Sequence, residues 1–120
     1  EKLVLVDKNR NKIVDFEFEI IFGNPPAIPL DYKLYQNYPN PFNPKTTIQY
    51  SIPNGEYVTL KVYDILGNEI TILVNEEKSP GKYELSWDAS SIAGQLSSGV
   101  YFYRMQAGKF FETKKMILLK

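Results

Sequence analysis

From residue 46 to the end of the chain, apolar and polar residues alternate in short runs, and each run stops at Gly, Pro or Asn. A period of two places alternate side chains on opposite faces of a strand, so a chain with this pattern must build half-buried strands. Ile48, Tyr50 and Ile52 alternate with Thr47, Gln49 and Ser51 before the turn Pro53-Asn54-Gly55. Val58, Leu60 and Val62 follow, opposite Thr59 and Lys61, until Leu66-Gly67-Asn68. Ile70, Ile72 and Val74 form the next face, with Thr71 outward and Leu73 on neither side clearly. Asn75 to Lys82 reads as a polar connection closed by Pro80-Gly81, ahead of Tyr83, Leu85 and Trp87. A small-residue loop, Ala89 to Gly99, leads to Tyr101, Tyr103 and Met105 on one face, with Val100, Phe102 and Arg104 on the other. After Ala107-Gly108-Lys109, the runs Phe110–Thr113 and Met116–Leu119 close the chain. About six strands in about 75 residues, each roughly 8–12 residues from the next, predict an antiparallel sandwich or barrel.

The core is expected to hold Ile48, Tyr50, Val58, Leu60, Val62, Leu85, Trp87, Tyr101, Tyr103 and Met105. The chain has 120 residues and no Cys, so no disulfide can help a modest core. Nine Tyr, seven Phe and one Trp must supply much of the buried area; each ring can bury roughly 150–250 Å². The absence of Cys and His removes thiol chemistry, the commonest acid/base group and the commonest transition-metal ligands. No catalytic, metal or cofactor site is expected. Lys plus Arg and Asp plus Glu each number 14, so there is no basic excess of the kind nucleic-acid modules carry. No apolar run approaches the roughly 18 residues of a membrane-spanning helix. The chain opens without Met or a signal peptide and reads as a piece of a longer protein.

Ahead of residue 46 the pattern changes. Leu3 to Val6 and Ile13 to Phe22 flank a polar turn, Asp7 to Lys12, and read as a hairpin with Phe16, Phe18 and Ile20 on one face and Glu17 and Glu19 solvated on the other. The segment GNPPAIP, residues 23–29, holds three prolines that cannot donate to a ladder. Residues 1–29 are therefore expected to be an N-terminal hairpin and proline-rich linker, the end of an upstream domain, and residues 30–120 the domain proper. Asn37-Tyr38-Pro39-Asn40-Pro41-Phe42-Asn43-Pro44 reads as a rigid loop. Its asparagines suit turns, and Leu34, Tyr38 and Phe42 are its expected anchors.

The segment LYQNYPNPFNPKTTIQYSIP, residues 34–53, resembles the start of the type A C-terminal sorting domain of type IX (Por) secretion cargo proteins of the Bacteroidetes. Further motifs keep the order of that family. They are Val62-Tyr63-Asp64 with Gly67, Leu73-Val74, Gly81 through Trp87-Asp88, Ser98 to Arg104, and Lys114-Lys115-Met116-Ile117-Leu118-Leu119-Lys120. The resemblance covers residues 34–120, about three quarters of the chain. It implies an Ig-like β-sandwich of about seven strands, a non-enzymatic secretion signal, and the outer-membrane type IX machinery as partner. It also implies an attached upstream cargo, passage through the periplasm, a secreted or cell-surface destination, and possible cleavage and surface attachment.

Five basic groups and one acid occupy the stretch from Arg104 to Lys120, counting Arg104, Lys109, Lys114, Lys115 and Lys120 against Glu112. With the resemblance, Lys114 to Lys120 becomes the candidate recognition strand, gripped by strand addition along an exposed edge. Lysines also guard edge strands against aggregation, and the two roles are compatible. The proline loop reads as a rigid cap on one end of the sandwich rather than as an epitope. Asp64 and Asp88 read as turn caps, although paired carboxylates can also serve acid/base or calcium chemistry. Tyr57, Tyr63, Tyr101 and Tyr103 could form a sugar platform, but Tyr101 and Tyr103 share their face with Met105, as core residues do. The competing overall reading is a structural or adhesive Ig-like module, or a carbohydrate-binding accessory of a secreted hydrolase. A region of the flagellar hook-capping protein shares only the Val-Tyr-Asp…Gly pattern.

Overall fold

The computed structural model describes residues 28–120 except residue 93, and the backbone of residues 7–8 and 10–11. Two short strands, β1 (Asp7–Lys8) and β2 (Arg10–Asn11), pair antiparallel across the polar turn expected there. The two longer strands of the expected hairpin, with Glu17 and Glu19, and residues 23–27 of the linker lie outside the described residues.

Seven strands build the domain: β3 (Lys33–Leu34), β4 (Lys45–Ile52), β5 (Glu56–Tyr63), β6 (Glu69–Lys78), β7 (Gly81–Asp88), β8 (Gly99–Ala107) and β9 (Phe110–Leu118). They form one sheet of order β3-β4-β7 and another of order β6-β5-β8-β9, antiparallel throughout. The two inner faces enclose a single core, giving the Ig-like sandwich of seven strands. The alternation explains the core directly: Thr46, Ile48, Tyr50 and Ile52 of β4 are buried, as are Val58, Leu60 and Val62 of β5 and Tyr101, Tyr103, Met105 and Ala107 of β8.

Of the expected core, Leu85 departs: it is half-buried and packs on the margin, because β7 is an edge strand. Leu34, Phe42, Ala89, Met116 and Leu118 join the core. The expected polar connection from Asn75 is instead strand as far as Lys78, where Glu76 and Glu77 face Val58 and Tyr57. An edge strand tolerates such residues because one of its sides stays in water. Register shifts between Leu60 and Lys61 and between Val62 and Tyr63 interrupt the β5–β6 ladder. A bulge resets the face of every residue beyond it, so Leu73 and Val74 both pack on the core while Ile72 is exposed. The two closing runs are one strand, Phe110–Leu118.

Candidate functional site

The proline loop and the terminal strand are far apart in sequence and meet in space. β9 pairs with β8 on one side only. On its other side the loop runs along the end of the strand. Phe42 N–H donates to the Ile117 carbonyl (2.9 Å), and Leu119 N–H donates to the Phe42 carbonyl (2.9 Å). Ile117 N–H donates to Asn40 Oδ1 (2.9 Å), and Gln36 Nε2 donates to the Lys115 carbonyl (2.7 Å). A backbone edge that would otherwise be open from Lys115 to Leu119 is thus covered by Gln36, Asn40 and Phe42. The bonding direction alternates along a strand, so Phe111 and Thr113 turn their N–H and C=O groups the same way, where no loop residue meets them.

The loop is held from beneath by a buried polar network. Tyr103 crosses the core and its hydroxyl accepts from Asn37 N–H (2.8 Å) while donating to the Tyr35 carbonyl (2.8 Å). Asn37 Nδ2 donates to Thr46 Oγ1 (2.9 Å) and the Pro39 carbonyl (3.1 Å), and Thr46 Oγ1 donates to the same carbonyl (2.9 Å). Gln36 Nε2 also donates to Asn37 Oδ1 (2.7 Å), completing the amide's partners. Burial pushes the Tyr103 phenol up to about 12, so it stays a neutral donor. The Tyr38–Pro39, Asn40–Pro41 and Asn43–Pro44 bonds are cis.

Of the three expected anchors, Leu34 and Phe42 are buried, and Phe42 lies 5.8 Å from the Trp87 ring. Tyr38 is not an anchor: it is 80% exposed. Its backbone bridges Thr47, and the inward place beside it belongs to Asn37, whose polar atoms are all satisfied. A polar residue buried this way costs little once every hydrogen bond is made, and nothing in its local sequence separates it from a turn asparagine.

The tail residues divide by strand alternation. Met116 and Leu118 point into the core at 0% and 1% exposure, so they support the fold rather than present a surface. Lys114 shares the inner face and pairs with Glu112 (3.2 Å) at the open rim. Lys115 and Ile117 turn to the outer face, and Leu119 and Lys120 lie past the strand. Lys120 N–H donates to Ser98 Oγ (2.9 Å). The three terminal lysines therefore stand in three settings, not one basic cluster. Between loop and tail lies a cleft of about 250 Å³, lined by Asn43, Pro44, Ala89, Leu96, Leu118 and Lys120.

Residues 36–119 match the family model of the secretion system C-terminal sorting domain, a span that runs from the clasping loop to the tail it covers. The chain belongs to that family. No curated protein matches it. Among solved structures it is similar to PorZ of Porphyromonas gingivalis, described as an essential surface component of the type IX secretion system. The identity is 20% and the TM-score 0.50, over 74% of this chain and 11% of that one. It is also similar to the dimeric latent PorU of the same organism, at 17% identity and a TM-score of 0.57, over 92% of this chain and 11% of that one. At such identity the likeness shows the fold, and the chain spans about a ninth of either protein.

The remaining candidates in this sorting domain have structural work. Asp64 accepts from Leu66 N–H (2.9 Å), Asn68 N–H (2.9 Å) and Asn68 Nδ2 (3.1 Å), and the Asn68 backbone bond, first, holds its carboxyl below the usual range. Asp88 caps the short 3₁₀ turn Ala89–Ser91, accepting from Ser90 N–H and Oγ, and the Ser90 hydroxyl, first, lowers its carboxyl likewise. Each carboxylate closes its own turn. Tyr101 and Tyr103 are buried while Tyr57 is exposed, so the four tyrosines make no common platform. No helix among the described residues is long and apolar enough to cross a membrane.

Proposed function

We propose that residues 30–120 are a folded, non-catalytic secretion signal. It directs an attached cargo, joined through residues 1–29, across the outer membrane through the type IX translocon. Cleavage and attachment of the cargo to the cell surface follow in this reading. The observation that carries it is the family match over residues 36–119. Recognition falls on the solvent-facing part of the tail, Lys115, Ile117, Leu119 and Lys120, together with the outward Tyr38 of the loop. Met116, Leu118, Phe42 and Asn37 hold that surface in place from within.

The test fuses the whole 120-residue chain to a periplasmic reporter in a host with a type IX system. The unaltered chain is expected to carry the reporter to the cell surface. A Lys115→Glu, Leu119→Ser, Lys120→Glu variant is expected to leave it in the periplasm while staying folded, because all three side chains are exposed. Unaltered reporter held in the periplasm sinks the sorting role. Surface delivery by the variant sinks the assignment to the tail.

A further inference from the structure

We propose that the outer face of the four-stranded sheet carries a binding site for a small phosphate or sulfate monoester of a ring alcohol, with the charged group held between Lys61 and Arg104. This goes beyond the sorting role and does not depend on it. Three observations carry it. First, two cations face each other across a strand pair. Lys61 of β5 and Arg104 of β8 are register partners. Both point outward, since their neighbours Leu60, Val62, Tyr103 and Met105 are buried. Side chains directly opposite have Cβ atoms about 4.5–5.5 Å apart, and like charges so placed repel. The two lean away from each other. The Lys61 ammonium reaches Glu69 of β6 (3.4 Å), and the Arg104 guanidinium lies over the Phe111 ring of β9, 4.7 Å from its centroid. Because β6 and β9 are opposite edges of this sheet, the space between the two cations stays open.

Second, that space is built of donors. It is a hollow of about 210 Å³ lined by Thr59, Lys61, Tyr63, Arg104 and Gln106, with no carboxylate in its wall. Each of the five side chains can donate a hydrogen bond. Arg104 makes no ion pair among the described residues. Its guanidinium fork matches two oxygens of a phosphate or sulfate, and Lys61 adds a point charge on the other side. An anion between them replaces one repulsion with two attractions. Acids and bases balance at 14 each over the whole chain, so the site suits a small anion and not a polyanion such as nucleic acid.

Third, the hollow continues into an apolar one. The second hollow, of about 330 Å³, shares Tyr63 and Arg104 with the first and adds Ile65, Gly67, Phe102 and Thr113. Tyr63 and Phe102 are register partners on the outer face and both are half-buried, so their rings stand side by side. Asp64 also lines this second hollow, with its carboxylate accepting from Leu66 and Asn68. Its charge directs an anion to the first hollow and leaves the second to an uncharged body. Donors at one end and rings at the other set the ligand class, an oxoanion joined to a ring.

Calorimetric titration of the full chain with phenyl phosphate, phenyl sulfate, inorganic phosphate and phenol tests this. At least one ester is expected to bind about tenfold or more tighter than inorganic phosphate and phenol, and phenyl phosphate against phenyl sulfate tells which oxoanion the site prefers. Lys61→Gln and Arg104→Gln should each weaken the preferred ester about tenfold or more, the loss of one hydrogen bond to a charged group. Arg104→Lys, which keeps the charge and loses the fork, should fall between. Phe102→Thr should bring the ester down to the level of its inorganic anion. Lys82→Gln, at an exposed lysine of the other sheet, should change nothing, and thermal melts confirm that every variant folds. Esters that bind no tighter than inorganic phosphate overturn the proposal. So do equal losses in Lys82→Gln and Arg104→Gln, or a single-stranded oligonucleotide that binds tighter than either ester.

Discussion

Tyr50 and Tyr103 are both buried core tyrosines, and replacing each with Phe should move stability in opposite directions. The Tyr103 hydroxyl accepts from Asn37 N–H and donates to the Tyr35 carbonyl, both at 2.8 Å. Tyr103→Phe leaves two backbone groups without partners under the proline loop. One buried group left unpaired costs about 1–3 kcal/mol. The Tyr35 carbonyl is only partly buried and can recover water, so the sum is about 2–3 kcal/mol. In a domain of this size that lowers the melting temperature by roughly 10–20 °C. The Tyr50 hydroxyl is buried too, yet it has no hydrogen-bond partner among the described residues. Its ring stacks on Tyr83 at 5.3 Å, a contact Phe keeps. Tyr50→Phe therefore removes an unpaired polar atom and should be neutral or stabilise by about 1 kcal/mol. Urea titrations with equal slopes give both values, and amide exchange at Asn37, Phe42 and Ile117 should quicken in Tyr103→Phe alone. Equal losses for the two variants, or an unchanged Ile117 in Tyr103→Phe, would refute the account of how the loop is held.

Trp87→Ala should cost about 3–5 kcal/mol in a urea titration, since the ring is buried against Phe42. Asn40→Ala removes the acceptor for Ile117 N–H; exchange of that one amide should rise, with about 1 kcal/mol of stability lost. The Asp64 and Asp88 carboxyls titrate below their ordinary values when folded. Their contribution is therefore present at neutral pH and lost as the pH falls through those lowered values. An Asp64→Asn, Asp88→Asn variant should show a shallower acid limb in a pH series of melts. Tyr50 and Tyr103 are both pushed up to about 12 by burial. Their sign is the reverse: stability holds below the unfolded value of about 10 and falls as the pH rises from there toward 12. The alkaline limb should be weaker in Tyr50→Phe.

The strands from β4 onward were legible because each has one wet and one dry face, and alternation states that without reference to any partner. Reading failed where a neighbour decides the outcome. Leu73 gave no side because a bulge in the β5–β6 ladder, not its own run, sets its face. Asn75 to Lys78 looked like a connection because an edge strand can be polar and remain paired. Tyr38 looked like an anchor by residue type. Among prolines, however, there is no two-residue period to follow, and the buried position went to Asn37, whose partners come from Thr46 and Tyr103. The clasp between Asn40 and Ile117 joins residues 77 apart in the chain. The motifs at its two ends were visible, but their contact was not, because nothing local encodes a hydrogen bond to a distant backbone.

That contact changes what the terminal residues can mean for secretion. Met116 and Leu118 fill the core, and the backbone around them holds Asn40 and Phe42. Removing residues 114–120 deletes two core side chains and releases the loop in the same step. The chain so shortened is expected to lose most of its stability along with its tail. Exposed Lys115, Leu119 and Lys120 can be altered without touching either. Two buried methionine or leucine side chains cost about 2–5 kcal/mol each when truncated, against a total of roughly 5–13 kcal/mol for a domain of about 90 residues. A tail deletion and a tail surface change are thus different experiments, and only the second separates what a partner reads from what keeps the sandwich closed.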